Sequence, residues 1–392
     1  MKWNKKTIFS TFSLGLIILL LSQCITKEEK PDPRGDVYAG AATCQQCHKA
    51  IYDQYLNTTH FQTSQPATKE NILGSFTEGL NMFKYTSGST IHMEDRDSGY
   101  YQVVYDKGQK SEEHRMDILF GKKHAQTFLF WKGKHTFEFP VSYYRSSNGW
   151  GTSPGFTSTV PYFNREINIK CYECHASYVN STMRMSANGV EEMLEKQTII
   201  YGIDCERCHG PGINHVHFHQ AYPDEKKAHY MTPVQSLQRQ QRLDVCAVCH
   251  SGNDKIKERL TFRFKPGDTL ANYYSIWQSS SNKNAEPDVH GNQYQLLSES
   301  KCFQKSITMD CSTCHNPHAD AGKNLEIYSA ACMNCHKPAT HPAIKEQTAL
   351  TLQTNCIDCH MPLQSSRVIR FQTAGDAAMS PYKLRTHRIA VY

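Results

Sequence analysis

The chain has 392 residues, 39% of them hydrophobic, with 43 Lys+Arg against 37 Asp+Glu. That length allows two or three domains with real cores, and modest Gly and Pro with 11% aromatics exclude collagen, coiled coil and a wholly disordered chain. Only the first 25 residues carry a long apolar run, which excludes a polytopic membrane protein.

The chain opens as an export signal. Lys2, Lys5 and Lys6 precede an apolar run of 14 residues, Ile8 to Leu21, too short to span a bilayer comfortably as a mature helix. Leu21-Ser22-Gln23-Cys24 resembles a lipoprotein cleavage box, which predicts residues 1–23 as a signal peptide and a lipidated Cys24. Ordinary cleavage nearby, with Cys24 incidental, is the alternative. Residues 24–40 then read as a polar tether rich in Lys, Glu and Pro.

Residues 41–74 carry the first copy of a pattern, Cys44-Gln45-Gln46-Cys47-His48. A motif-free stretch follows. Tyr100 to Tyr105 and Thr127 to Trp131 are aromatic and β-branched runs, each followed by a Gly turn, so residues 75–160 are expected as a small β-rich unit. Residues 161–392 hold six more copies: Cys171/Cys174/His175, Cys205/Cys208/His209, Cys246/Cys249/His250, Cys311/Cys314/His315, Cys332/Cys335/His336 and Cys356/Cys359/His360. Thr232 as N-cap and Pro233 at the first helical position predict a helix running to Cys246, and Leu325 to His336 also reads as helical. Lys265 to Asp268 and Ser279 to Pro287 read as loops. The expected fold is mainly α with much irregular structure, with a haem stack as its core and the β-rich unit in the N-terminal half.

Covalent haem explains the pattern. In a helical turn, positions i, i+3 and i+4 share one side, so two thiols can tether the porphyrin while the next imidazole reaches its iron. Zinc does not need a His after every second Cys, and two Cys three apart on a helix are poorly placed to pair across space as disulfides. Seven copies consume 14 of the 16 Cys, predicting seven haem c groups. Seven porphyrins in 392 residues leave too little chain for separate pockets, so the macrocycles are expected to pack on one another. The formal charge of +6 falls to +3 without the three leader lysines. Seven ferric haems, each about −1 with ionised propionates, bring it to roughly −4, which removes nucleic acid as a partner.

Seven His follow the motif cysteines, leaving 13 of the 20 as candidates for the opposite axial position. His318 lies three residues after His315, a span of at most about 10 Å, so it is expected to serve a neighbouring haem. His215, His217 and His219 alternate, and one of them is expected to ligate. His60, His341 and His387 are further candidates, with His124 and His290 behind them. His92, His114, His135, His217, His219 and His229 are left as polar or surface residues. The 12 Met have no distinguishing spacing, and Cys302 reads as a buried small hydrophobe.

The flanking residues resemble a family. Cys44 to His48 with Tyr55 and His60, Gly202 to Gly212 with His215, Ser300 to Phe303 with Cys311 to His318, and Cys356 to Pro362 with His387 to Ile389 look like its successive elements. It is the group of multihaem c-type cytochromes that includes the tetrahaem electron acceptor of hydroxylamine oxidoreductase. The resemblance implies that His60, His215, His318, His387, His124 and His341 are distal ligands. No C-x-x-C-K occurs, so the lysine-ligated haem of pentahaem nitrite reductases is not signalled.

The function expected is a heptahaem electron carrier on the periplasmic or cell-surface side of a bacterial membrane. It would be anchored by lipid and would pass electrons between redox proteins. The alternative is an oxidoreductase with one open-coordination haem acting on a small nitrogen or sulfur compound.

Overall fold

In the computed structural model the described residues are 31–392 apart from 188, 253–255, 275–286, 321, 323, 337–353, 375 and 377. The expected signal peptide, the lipidated Cys24 and His341 lie outside them. No helix among the described residues is long and apolar enough to cross a membrane.

The fold is not mainly α. Helix and strand take 27% each, the strands falling in several small sheets. The physical reason is that each cysteine pattern needs only a turn or two of helix. Cys205–His209 spans five residues and Ile357–His360 four, and hairpins fill the intervals.

A four-stranded antiparallel meander runs through Met82–Lys84, Thr90–Arg96, Gly99–Asp106 and Gln109–Arg115. Beside it, a seven-stranded sheet joins Ser64–Pro66, Ile118–Phe120, Ala125–Lys132, His135–Glu138, Val141–Tyr144, Gly149–Thr152 and Glu166–Ile167. Alternation sets their inward faces: Ile91 and Met93 point into one core with Phe83, Val104, Leu119, Phe128, Phe139 and Trp150. This core is made of side chains alone.

The sheet also grips the second motif. Ile118, Phe120 and Leu129 pack against Ile169, Tyr172 and Ala176, and Phe262 closes the cluster. Ala247 and Val248 of the fourth motif pack with Phe264, Leu270 and Tyr273. Three two-stranded antiparallel sheets lie between and after the motifs, pairing Ala176–Tyr178 with Ile200–Tyr201, Ser181–Ser186 with Gly189–Leu194, and Leu363–Phe371 with Ser380–Arg385.

Two local expectations also shift. The helix expected from Pro233 begins at Arg239, because Leu237 and Gln238 are extended and Gln238 forms a capping box with Gln241. The helix expected over Leu325 to His336 ends at Met333, which leaves Cys335 and His336 beyond it. Part of the expected tether is docked: Arg34 is only 5% exposed and pairs with Asp32, Asp204 and Glu206 at 2.8–3.0 Å.

Candidate haem-binding site

Each motif is held by a short helix or turn, and several of these are capped from the residue just before, Asn324 on Leu325–Met333 and Gln238 on Arg239–His250 among them. Asn168 caps Ile169–His175, and Asp204 caps Cys205–His209 by accepting from the Arg207 amide at 2.9 Å. Asp310 caps the Cys311–Thr313 turn. In the last three motifs the His amide donates to the carbonyl of the first Cys, at 3.0 Å for His315, 2.9 Å for His336 and 3.0 Å for His360. That bond closes the turn and puts both thiols and the imidazole on one side.

Buried acids then tie the motifs together. The Glu206 carboxylate accepts from the amides of Ala39, Gly40 and Gly212 at 2.8–3.0 Å as well as from Arg34. Arg242 of the fourth motif helix donates to Asp310 of the fifth at 2.5 Å. Glu173, inside the second motif, accepts from Lys257 and from both the amide and hydroxyl of Thr261. Such fully bonded acids fix the relative positions of motifs far apart in sequence.

The thiols of different motifs are neighbours: Cys44 lies beside Cys205, Cys174 beside Cys249, Cys246 beside Cys311 and Cys332 beside Cys356. Among the described residues no group of three or more His, Cys, Asp or Glu is gathered as a zinc site would require.

Four second cysteines sit differently. Cys47, Cys314, Cys335 and Cys359 are exposed, whereas Cys174, Cys208 and Cys249 are half-buried. The difference is clearest at the sixth and seventh motifs. There Cys332 and Cys356 meet, but Cys335 and Cys359 face outward. The reason is local. Cys335 lies two residues past the end of Leu325–Met333, and Ile357–His360 is a single turn in which only Ile357 is buried.

The imidazoles meet in pairs. His48 faces His215 with ring centroids 6.4 Å apart, His250 faces His60 at 6.0 Å, His209 faces His318 at 5.7 Å and His315 faces His387 at 6.2 Å. The Nε2 atoms of His209 and His318 are 3.5 Å apart. Every pair joins a motif histidine to one outside any motif. Two imidazoles bound to one metal through bonds of about 2 Å place their centroids about 6 Å apart, so the spacing fits an iron held axially from both sides. Burial, then His250 and His315, pushes His60 down to about 4, and burial followed by His315 and His250 does the same to His387. Both rings are therefore neutral near pH 7, the form that ligates. The donor set fits haem c, which when bound supplies reversible one-electron chemistry.

In two of these pairs the other ring nitrogen is anchored: His215 Nδ1 lies 2.9 Å from the His229 carbonyl and His250 Nδ1 3.3 Å from Gln293 Oε1. Outside the pairs, His360 Nδ1 lies 2.8 Å from the Ala390 carbonyl. Nδ1 as donor leaves Nε2 free to bind. His175 is held by Thr63 Oγ1, 3.1 Å from its Nδ1, with Phe120 stacked on the face of its ring at 4.6 Å. His124 is exposed and its ring lies 6.2 Å from Tyr382. His336 is exposed just beyond its helix.

His60 reaches its place because Gly202, at φ +65°, lets the 58–63 loop press on the start of the third motif; a Cβ there would meet the Phe61 carbonyl at 1.9 Å. Asp204 and Asp310 were legible as caps from their position before a motif cysteine. Thr63, Gln293, Arg34 and Lys257 carried no such signal, since each acts across a long sequence separation.

The chain is also similar to known cytochromes. The family described as cytochrome c554 and c-prime matches residues 43–82 and 122–210. The dissimilatory sulfite reductase MccA of Wolinella succinogenes is 23% identical over 266 residues, covering 58% of this chain and 33% of that protein. The multihaem cytochrome MtrA of Shewanella baltica is 25% identical over 161 residues, covering 38% of this chain and 47% of that protein. The chain thus spans between a third and a half of these relatives' length. The outer cell wall cytochrome OcwA has a similar fold, with a TM-score of 0.54 at 16% identity, covering 90% of this chain and 80% of that one. Motif, paired imidazoles and relatives converge, and the chain is a multihaem c-type cytochrome.

Proposed function

We propose that the chain is an exported seven-haem electron conduit, held at a membrane by lipid on Cys24 and passing electrons between redox proteins. The four imidazole pairs carry this reading, because an iron with two protein ligands takes and gives electrons without binding substrate. His215, His318, His60 and His387 are assigned to the haems of the first, third, fourth and fifth motifs. His336, His360 and His175 are the motif ligands of the rest, with His124 and His341 proposed as distal partners.

The neighbouring thiols support an order for the path. First meets third through Cys44 and Cys205, fourth meets fifth through Cys246 and Cys311, and sixth meets seventh through Cys332 and Cys356. The second joins at the fourth, through Cys174 and Cys249, as a side branch. The exposed Cys335 and Cys359 make the sixth and seventh haems the end at which a redox partner would dock. The chain's task is then spacing and potential, set by burial and by the Nδ1 partners. The kinship with the group containing the hydroxylamine oxidoreductase electron acceptor belongs to this reading.

A second reading, a reductase with one open iron, is favoured by the asymmetry at His175. Its ring is fixed by Thr63 and Phe120, and the histidine acting on it electrostatically, His290, sits on an exposed turn. Carbon monoxide difference spectra of the reduced protein and low-temperature electron paramagnetic resonance of the oxidised protein test both. An entirely low-spin, gas-inert set supports the conduit, and one stoichiometric gas-binding haem supports the reductase. His318→Ala is expected to turn one haem high-spin, and an unchanged spectrum rejects that ligand.

A further inference from the structure

Tyr55 is the last residue of the helix Ala41–Tyr55 that carries the first motif, and it is 6% exposed. Its hydroxyl donates at 2.7 Å to the carbonyl of Ile203, which lies just ahead of the third motif. The same residue is engaged on its other side, since the Ile203 amide donates to the His60 carbonyl at 2.9 Å. The Tyr55 ring meets His318 edge to face, with centroids 6.1 Å apart. One side chain of the first motif helix thus touches the distal ligand assigned to the third haem. Through a single residue it also reaches the one assigned to the fourth.

The turn that bears His60 is closed onto Tyr55 as well. Buried Thr58 donates its hydroxyl to the Tyr55 carbonyl at 2.7 Å and accepts from the Phe61 amide at 3.2 Å. The Phe61 ring lies 6.1 Å from that of Tyr55. A network bonded in this way resists movement, because losing one partner leaves a buried polar group unpaired. The two ligand pairs that converge on Tyr55 are oriented in opposite ways. The planes of His318 and His209 are nearly parallel, at 11°, whereas those of His60 and His250 are nearly perpendicular, at 85°. The groups behind an axial imidazole fix its orientation.

We propose that Tyr55 is a positioning residue for two distal ligands: its ring sets the plane of His318 at the third haem, and its hydroxyl, through Ile203, sets that of His60 at the fourth. That role rests on the ligand assignments of the conduit reading. It joins the third and fourth motifs through their distal ligands, so both haems take their axial geometry from one side chain. Crossed imidazole planes leave the iron orbitals that share the unpaired electron close in energy, and parallel planes split them. A crossed pair therefore gives the larger principal g value in the oxidised low-spin state.

Electron paramagnetic resonance of the full-length haem-loaded protein, recorded through a redox titration, tests this. His60→Ala and His318→Ala each turn one low-spin signal high-spin and so identify the two components. Tyr55→Phe keeps the ring and loses the hydroxyl. It is expected to lower the largest g value of the His60 component and shift its midpoint potential, with the His318 component unmoved. Tyr55→Leu loses both contacts and is expected to move the His318 component too, toward a larger g value. A His60 component that stays put in Tyr55→Phe, movement of any other component in that variant, or a His318 component that stays put in Tyr55→Leu overturns the proposal. Tyr55→Phe, which keeps the packing, decides even if Tyr55→Leu does not accumulate. An alanine variant at His60 or His318 that leaves every haem low-spin would instead remove the ligand assignment itself.

Discussion

The β-rich region and the motif-bearing region solve the same folding problem in opposite ways. Between residues 64 and 167 the chain buries its own side chains: Ile91, Met93, Leu119, Phe128 and Phe139 are fully enclosed. From residue 168 onward no comparable cluster forms among the described residues. Its largest apolar group outside the sheet contact is the small set around Ala247 and Phe264. There the chain is held by buried acids, paired imidazoles and neighbouring thiols, groups that are costly to bury unless something binds them. The contrast teaches that one half carries its stability in its sequence of hydrophobic residues, whereas the other was built around a ligand.

The sharpest way to break this comparison is to withhold haem. Full-length chain made in a host unable to attach haem is expected to lose protease protection across the motifs from Cys205 onward while the segment from 64 to 167 keeps its sheet, by the logic of metal-dependent small domains. Equal digestion of both regions would erase the distinction. Arg34→Met strikes the second region's polar framework, leaving Asp32, Asp204 and Glu206 without their shared cation. It is expected to cost about 3–5 kcal/mol in denaturant unfolding followed by haem absorbance. Leu119→Ala strikes the first region instead. It is expected to cost about 2–5 kcal/mol in the unfolding of the sheet, read by tryptophan fluorescence, with the haem spectrum unchanged.

The two regions also differed in how much could be read from sequence. The aromatic and β-branched runs Tyr100 to Tyr105 and Thr127 to Trp131, each followed by a Gly turn, announced strands, because that pattern is local. The seven attachment motifs were legible for the same reason, since i, i+3, i+4 spacing is local chemistry. Their depth was not, because the same spacing leaves Cys208 half-buried and Cys335 and Cys359 at the surface. The balance of helix and strand was hidden too. The hairpin Ser181–Ser186 with Gly189–Leu194 exposes Met183 and Met185, so its apolar residues do not mark a core face. Leu363–Phe371 with Ser380–Arg385 carries charges among its strands. Which imidazole meets which was equally obscure. His48 and His215 are brought together by Arg34, Glu206 and the docked 32–40 segment, and nothing in either neighbourhood encodes the other.

One titrating group separates the regions at finer scale. Glu138 lies at the sheet's edge nearest the second motif, 3.4 Å from Arg165, and burial raises its carboxyl to about 7 against the opposing pull of that guanidinium. The folded state therefore holds a proton that the unfolded state releases near 4.5. Between those values the native protein binds more protons, so stability is greatest below about 4.5 and falls as pH rises through about 7. Glu138→Gln should remove this dependence, flattening a loss on the order of 2 kcal/mol between about pH 5 and pH 8 in the unfolding of the sheet. Because Glu138 also acts on Cys171, the same variant asks whether the two regions are electrically joined. If the pH slope disappears from sheet unfolding but the redox titration is unchanged, the regions are coupled only by packing. A matching change in the pH dependence of one potential would show that the sheet sets the charge felt at the second motif.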